Sequence, residues 1–447
     1  MSASDDDLRF PDGFRWGVAT SAFQCEGAVA NPSSTWARWE ALGHVRAGNR
    51  SGIACDWWEH AERDFDLARD LNLNALRLSV DWARVEPTIG RFDDAALGRY
   101  REMVVGLRER GLEPMVCLHH FDQPVWLEDM GGFEHPDSVA LYVRFARHVV
   151  EALGDVCREW LTFNEPNVYS TVGYVLGDFP PGRRGDTVAA LRVQRNMARA
   201  HARAYVLIHE AVPGAFVSWA HHLITFVPDR PGHRGDRWAA ALSDRMFNRP
   251  FLEVVADGRS SGPPGLRIDV PEAKGTCDFL GVNLYGRRRV RFSPRDWRAA
   301  FNRFAPPSPD APRGDPSAEE KFGEPFPQGI AGLGEWLDRI GKPLVITENG
   351  YADALDRVRP SVIAEAVRGM HSLVERGYDV RGYHHWTLVD NFEWDAGWDL
   401  RFGLYALDTA TQERKMRRSG HFFAEVALRN GLDRQTIVHH EIPELWP

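Results

Sequence analysis

Short apolar runs, rich in β-branched residues, alternate along the chain with longer stretches in which apolar residues return every third or fourth position. The runs predict strands at Arg15–Ala19, Ala75–Val80, Pro114–His119, Glu159–Phe163, Ala215–Ala220, Phe279–Leu284, Leu344–Thr347 and Gly382–Trp386. Continuous apolar runs of this kind read as buried strands, whose sides must be covered by protein. The stretches between them, such as WWEHAERDFDLARDLNL and SVALYVRFARHVVEALG, predict amphipathic helices able to cover them. Eight strands separated by helices predict an α/β fold. The expected form is a (β/α)8 TIM barrel, one domain over residues 1–447 with long loops at the C-terminal face. An open doubly wound sheet is the alternative, but no G-x-G-x-x-G turn follows the first strand to support a dinucleotide site. No Gly/Ser linker divides the chain, and no short repeat recurs in it.

One segment breaks the pattern. Residues 287–328, RRRVRFSPRDWRAAFNRFAPPSPDAPRGDPSAEEKFGEPFPQ, are proline-rich and basic at the front. Following strand six, they predict a long loop over the top of the barrel, serving as a lid or binding wall; disorder is the alternative.

Composition narrows the function classes. With 43% hydrophobic and 26% charged residues the chain has an ordinary globular balance. Its net charge of −9 is spread along the sequence, which argues for solubility and against a nucleic-acid partner. Five cysteines (Cys25, Cys55, Cys117, Cys157 and Cys277) without a CxxC pattern suit reduced, buried thiols rather than disulfides or a zinc site. The start, MSASDDDLRF, is acidic and has no apolar core of a signal peptide. No run approaches the ~18 apolar residues of a membrane span. A soluble cytoplasmic protein is expected. Sixteen tryptophans are many, and several adjoin carboxylates: Asp56-Trp57-Trp58, Asp81-Trp82 and Glu393-Trp394. Packing accounts for part of this; the rest points to a pocket that stacks on flat faces while carboxylates bond hydroxyls, as sugars require.

The strand tips carry the chemistry. In KPLVITENGY a buried strand ends in Glu348, and a lone buried carboxylate is costly unless paired or hydrogen-bonded. REWLTFNEPN ends strand four in Asn164 and Glu165, MVCLHHFDQP ends strand three in His119-His120, and GVNLYG puts Asn283 and Tyr285 at the tip of strand six. Strand eight carries Trp386. Helix capping or core packing explains any one of these, but not all together. In a parallel barrel the C-terminal strand ends meet at one face, where such enzymes build their sites. Two carboxylates facing each other there suit glycoside hydrolysis: one protonates the departing oxygen, the other attacks the anomeric carbon or activates a water. A separation of ~5–5.5 Å selects double displacement with retention. Sequence does not fix that separation, so both routes stay open at this point.

The motifs LTFNEP and VITENG resemble the two signatures of glycoside hydrolase family 1, the β-glucosidase and β-glycosidase family. WGVATSAFQCEG at 16–27, LRLSVDWARVEP at 76–87, LHHFDQP, and HHWTLVDNFEWDAGWDLRFGLY at 384–405 resemble further family motifs in family order, from about residue 10 to 410. The resemblance implies a retaining β-glycosidase acting on terminal, unphosphorylated β-glycosides, with β-glucosides first and β-fucosides or β-galactosides beside them. Glu165 matches the acid/base and Glu348 the nucleophile; Arg77 and Tyr285 match groups beside the nucleophile, and Asn164 the residue holding the 2-hydroxyl. Gln24, His120, Trp386, Glu393 and Trp394 match the glycone-binding set, with Asn283 adjacent. No metal and no cofactor are implied, and the partner is a small-molecule β-glycoside or oligosaccharide. Homo-oligomerisation stays open.

Departures refine this. Phe121 stands where many relatives have tryptophan, and NEPNVYS replaces NEPW, altering the aglycone side. The phosphate-binding lysine pattern of relatives acting on 6-phospho-sugars is missing after Glu393-Trp394, and Glu165 stands where the thioglucosidase branch has glutamine. Arg183-Arg184 and Arg287-Arg288-Arg289 follow strands four and six; solvated loop charge competes there with an anion-binding aglycone site. Three rivals remain: a metal-dependent hydrolase using the histidine pairs (119-120, 221-222, 384-385, 439-440) with Glu348, a catalytically weak sugar-binding protein on the same barrel, and a transglycosidase.

Overall fold

The structure, a computed structural model, describes residues 7–29, 31–262, 265–299 and 301–445. Eight parallel strands form its centre: β1 (Arg15–Ala19), β2 (Ala75–Ser79), β3 (Glu113–Cys117), β4 (Glu159–Asn164), β5 (Phe216–Pro228), β6 (Leu280–Phe292), β7 (Leu344–Asn349) and β8 (Val380–Trp386). Each pairs with the next in order, and β8 returns to β1, so these strands close on themselves. Closure removes the unpaired edges that an open sheet must protect.

Helices lie between the strands: α1 (Trp57–Asp70), α2 (Asp94–Glu109), α3 (Ser138–Leu153), α4 (Thr187–Ala211), α5 (Arg234–Phe247), α6 (Arg249–Asp257), α7 (Pro316–Phe322), α8 (Gly334–Ile340), α9 (Arg359–Glu375) and, after β8, α10 (Arg418–Arg429). In α3 Val139, Tyr142, Phe145, Ala146, Val149, Val150 and Leu153 are buried, so its three-and-four spacing becomes packing. With such cover on their outer side, β2 and β7 are buried along their whole length.

Two strands outrun their expected ends. The β5–β6 pairing continues through Thr225↔Arg287 to Pro228↔Val290, well past the sheet proper. In β6 the extension is hidden because charged residues interrupt the apolar run, and both strands of the ribbon are only partly buried there. The expected loop at 287–328 therefore contains elements. Asn302–Phe304 pairs antiparallel with β6, α7 follows, and Glu324–Pro325 pairs back onto Gly286 and Arg287.

The basic front of this segment is engaged internally. Arg287 Nε donates to Glu324 at 2.5 Å, Arg288 donates to the carbonyls of Glu320 and Lys321, and Arg289 and Arg291 both pair with Asp229. Burial lowers Arg288 to about 10. These arginines fasten the excursion to the sheet, and Arg183 is likewise held between Glu134 and Asp186. The five cysteines are buried and unpaired. Among the described residues, no helix is long and apolar enough to cross a membrane.

Candidate active site

Side chains from most strands converge at the C-terminal mouth, and strand register explains how. Glu348 on β7 lies beside Asn283 on β6, which lies beside His222 on β5. One strand further round, Asn164 on β4 pairs with Ala220. A row across the sheet thus sets Glu348, Asn283 and His222 next to the end of β4.

Glu348 is 3% exposed and tightly partnered. Arg77 Nη1 donates to Oε1, and the Tyr285 hydroxyl donates to Oε2 at 2.5 Å. Arg77 is wholly buried on β2, and its Nη2 reaches Asn164 Oδ1 at 2.7 Å. One guanidinium therefore ties the tip of β7 to the tip of β4. Next along, Gly350 has no room for a side chain: a Cβ there would lie 2.1 Å from the Trp386 carbonyl oxygen. That close approach accounts for the glycine of VITENG.

Glu165, 5% exposed, sits where β4 turns into the helix Pro166–Thr171, with φ of 44° and ψ of 63°. This left-handed conformation is costly for a residue other than glycine and collects at functional positions. The Glu165 N–H donates to the Ala220 carbonyl at 2.8 Å, holding the turn. At the carboxyl, Oε1 accepts from Asn283 Nδ2 at 2.7 Å and meets His222 Nδ1 at 2.9 Å. Asn283 also donates to Asn164 Oδ1 at 3.0 Å and accepts from the Thr347 hydroxyl at 2.7 Å.

Burial pushes Glu348 up to about 7, with Arg77 opposing and the Glu165 charge adding to the rise. Burial also raises Glu165, but His222, Asn283 and Arg77 outweigh it and hold that carboxyl below its ordinary value. Each negative charge disfavours the other, so a proton bound near neutrality belongs to the pair rather than to one member.

The predicted sugar-facing residues gather beside this centre. Gln24 Nε2 donates to Glu393 Oε2 at 3.0 Å, while the Ser21 hydroxyl fixes Gln24 Oε1 at 2.7 Å. His120 lies 5.8 Å from Trp386, tilted by 31°, and 5.9 Å from Trp394 at 26°, and meets Asn164 Nδ2 at 3.0 Å. Trp394 has a positive φ of 49° and stacks on Phe23 at 6.0 Å. Burial pushes Glu393 up to about 7; Lys321 pulls it down and Asp395 adds to the rise.

Two members of this cluster were not foreseen. His222 was visible only as half of a histidine pair, because strand five was ended at Ala220. Lys321 lies in α7, inside the excursion, where no periodicity signals a function. Its Nζ lies 2.7 Å from Asp395 and 3.8 Å from Glu393 Oε1.

The remaining paired histidines serve elsewhere. His221 Nε2 meets the Asn248 carbonyl at 2.8 Å, His384 Nδ1 meets that of Ile346 at 3.3 Å, and burial lowers both to about 3. Among the described residues, the donor group able to hold a metal is Glu425, His439 and His440, outside this cluster. There His440 Nε2 already meets Glu425 at 2.8 Å.

The arrangement can hold a sugar against aromatic faces while offering two carboxyls with different partners. Comparison with known proteins gives the family. The model of glycosyl hydrolase family 1 matches residues 7–432. β-Glucosidase A of Thermotoga maritima is 29% identical over 95% of this chain and 99% of its own. A β-galactosidase of Pyrococcus woesei is also 29% identical, over 95% and 98%. Among solved structures, the β-glycosidase of Pyrococcus horikoshii aligns with a TM-score of 0.87 and 33% identity, covering 99% of this chain and 100% of that one. A Thermotoga maritima family 1 glycoside hydrolase, solved with a cyclophellitol analogue described as a transition-state mimic, gives 0.88 at 29% identity over 96% and 100%. The chain is a glycosyl hydrolase and belongs to family 1, with β-glycosidases as its relatives.

Proposed function

We propose that the chain is a retaining exo-β-glycosidase, a single (β/α)8 barrel domain with its pocket at the C-terminal mouth. The observation that carries this is the unequal partnering of two buried carboxyls. Glu348 faces a fixed cation and a phenol donor, so it attacks as the anion. Among the described residues Glu165 has no arginine paired to it. Although the Asn283 amide favours its anion, the His222 imidazole can accept an O–H, so Glu165 is the member that carries the pair's proton into the first step. In the first step Glu348 forms a bond to the anomeric carbon while the glycosidic C–O bond breaks and Glu165 gives its proton to the departing oxygen. Glycosylation removes the charge on Glu348, which lowers the pKa of Glu165 and prepares it to take a proton from the incoming water. That water then displaces the enzyme ester, restoring Glu348 and releasing the sugar with its configuration retained.

Asn164, oriented by Arg77 and Asn283, is placed to hold the 2-hydroxyl. Gln24, His120, Trp386, Glu393 and Trp394 hold the rest of the glycone. β-Glucosides are the first choice and β-galactosides and β-fucosides the next, the first two in line with the activities named for the relatives. Unphosphorylated sugars are favoured because the cation at the Glu393 end, Lys321, is matched by two carboxylates.

The test is nitrophenol release from aryl β-gluco-, galacto-, fuco-, manno- and xylosides, run beside Glu348→Gly. Cleavage lost in the variant is expected, and the order of rates names the glycone. Silence across the panel would overturn the reading.

A further inference from the structure

His222 touches the acid carboxyl yet belongs neither to the groups around Glu348 nor to the sugar-facing set. Its Nδ1 lies 2.9 Å from Glu165 Oε1. The ring is clamped, lying parallel to Tyr285 at 5.6 Å and edge-on to Phe247 at 5.9 Å. The side chain keeps 9% of its surface accessible, and among the described residues Nε2 has no hydrogen-bond partner. The neighbouring His221 is wholly buried and spent on a backbone carbonyl.

Chemistry separates the two contacts on Oε1. The Asn283 amide nitrogen only donates, so it favours the carboxylate. An imidazole nitrogen accepts from a carboxylic acid and, once protonated, donates to a carboxylate. His222 alone can follow Glu165 through both of its states without moving.

We propose that His222 is the positioning residue of the acid/base, accepting the Glu165 O–H before bond cleavage and donating Nδ1–H to the carboxylate afterwards. The inference rests on Glu165 acting as acid/base. In the balance of protons, the Glu165 proton leaves on the aglycone oxygen. The neutral imidazole then changes tautomer through solvent, giving its Nε2 proton to water at the accessible edge and gaining one at Nδ1. It reverses that exchange as Glu165 is reprotonated by the attacking water, so its own proton count is unchanged. The charged and titratable groups facing the pair are Glu348 on β7, Arg77 on β2, Tyr285 on β6 and His221 on β5. Burial, with Glu348 next, keeps Tyr285 a neutral phenol, and burial keeps His221 neutral, down to about 3.

The test measures kcat/KM and its pH profile for His222→Phe, His222→Asn and Glu165→Gly on β-glucosides with 2,4-dinitrophenyl, phenyl and alkyl leaving groups. His222→Phe is expected to lose on the order of 10- to 100-fold on alkyl glucosides and far less on the dinitrophenyl one, which needs no proton. Its alkaline limb should move to higher pH, because His222 helps hold Glu165 down. His222→Asn, close in size and able to bond Oε1, should recover part of the loss; it also keeps the test open should the phenylalanine variant fail to fold. Equal losses on every leaving group, with an unmoved limb, would reduce His222 to packing and overturn the proposal. Leaving-group independence in Glu165→Gly would instead remove the acid/base assignment on which it rests.

Discussion

The two ends of the pocket are built differently. At the cleavage end, Arg77, Asn164, His222, Asn283, Tyr285 and Glu348 all lie on strands of the closed sheet, with Glu165 one residue beyond its own. Their positions relative to one another are fixed by backbone pairing. At the glycone end Trp386 closes β8, but Glu393 and Trp394 lie on the segment after it, Gln24 on a short helix after β1, and Lys321 on the excursion after β6. Rate depends on sub-ångström placement of reacting groups, which a closed sheet supplies. Preference for one sugar needs a wall that can vary without disturbing that placement, which loops supply. Changes at the cleavage end should therefore lower the rate for every glycone, and changes at the other end should reorder glycones.

The largest effect is expected from Glu348→Gly. Removing the nucleophile should lower kcat on aryl glucosides by roughly 10⁴-fold or more. Added azide should then give the glycosyl azide of inverted configuration, because a small anion occupies the vacated side. Glu165→Gly should cost roughly 10²- to 10⁴-fold on phenyl glucoside, less on activated leaving groups, and azide there should give the azide of retained configuration. Product configuration by NMR separates the two roles; the same anomer from both variants would contradict the assignment.

A smaller loss is expected for Tyr285→Phe, which removes one donor from an ionised carboxylate. A hydrogen bond to a charged group contributes about 1.5–3 kcal/mol, so kcat/KM should fall roughly 10- to 100-fold. The sign of the pH effect follows from the same contact. Tyr285 lowers the pKa of Glu348, which already lies at about 7, so its loss should move the acidic limb of kcat/KM to higher pH. An unmoved limb would mean that the phenol serves packing alone.

How much of this was legible follows the same division. The cleavage end could be read because it lies on strands whose apolar runs end abruptly in polar residues, as in LTFNEP and VITENG. His222 escaped because the run WAHHLITFVP was ended at Ala220. Of two adjacent histidines, alternation along a strand points one at the site and one away, and register alone decides which. At the glycone end, Gln24, Glu393 and Trp394 were recognised through resemblance, not periodicity. Lys321 had neither signal. It reaches Glu393 only because Arg287 and Arg288 anchor the excursion, and those contacts span more than thirty positions. Of the arginines weighed as an anion site, Arg287 and Arg288 form that anchor, while Arg183 pairs with Glu134 and Asp186 and Arg184 lies exposed beside Asp178.

Lys321→Met should have the smallest effect on rate and the clearest effect on preference. Glu393 must be ionised to accept bonds from two sugar hydroxyls, yet burial pushes it up to about 7 and Asp395 pushes further. Lys321 opposes both most strongly, with the Gln24 hydrogen bond beside it. Burial works against its own charge, but Asp395 and Glu393 outweigh that and keep the ammonium protonated. Without the cation the Glu393 pKa must rise, so at pH 7 a larger share of the pocket carries a neutral carboxyl that accepts fewer hydrogen bonds. The expected result is a KM for glucoside raised by roughly three- to tenfold at pH 7, the range of one weakened hydrogen bond, recovering as pH rises through the new, higher pKa. With its reacting groups untouched, kcat should stay within about twofold, as uniform binding loss requires. Xylosides, which lack the 6-hydroxyl, and 6-deoxy fucosides should suffer less than glucosides. An equal loss for all three sugars, or a fall in kcat instead of a rise in KM, would show that the excursion braces the catalytic centre and that the two ends of the pocket are not independent.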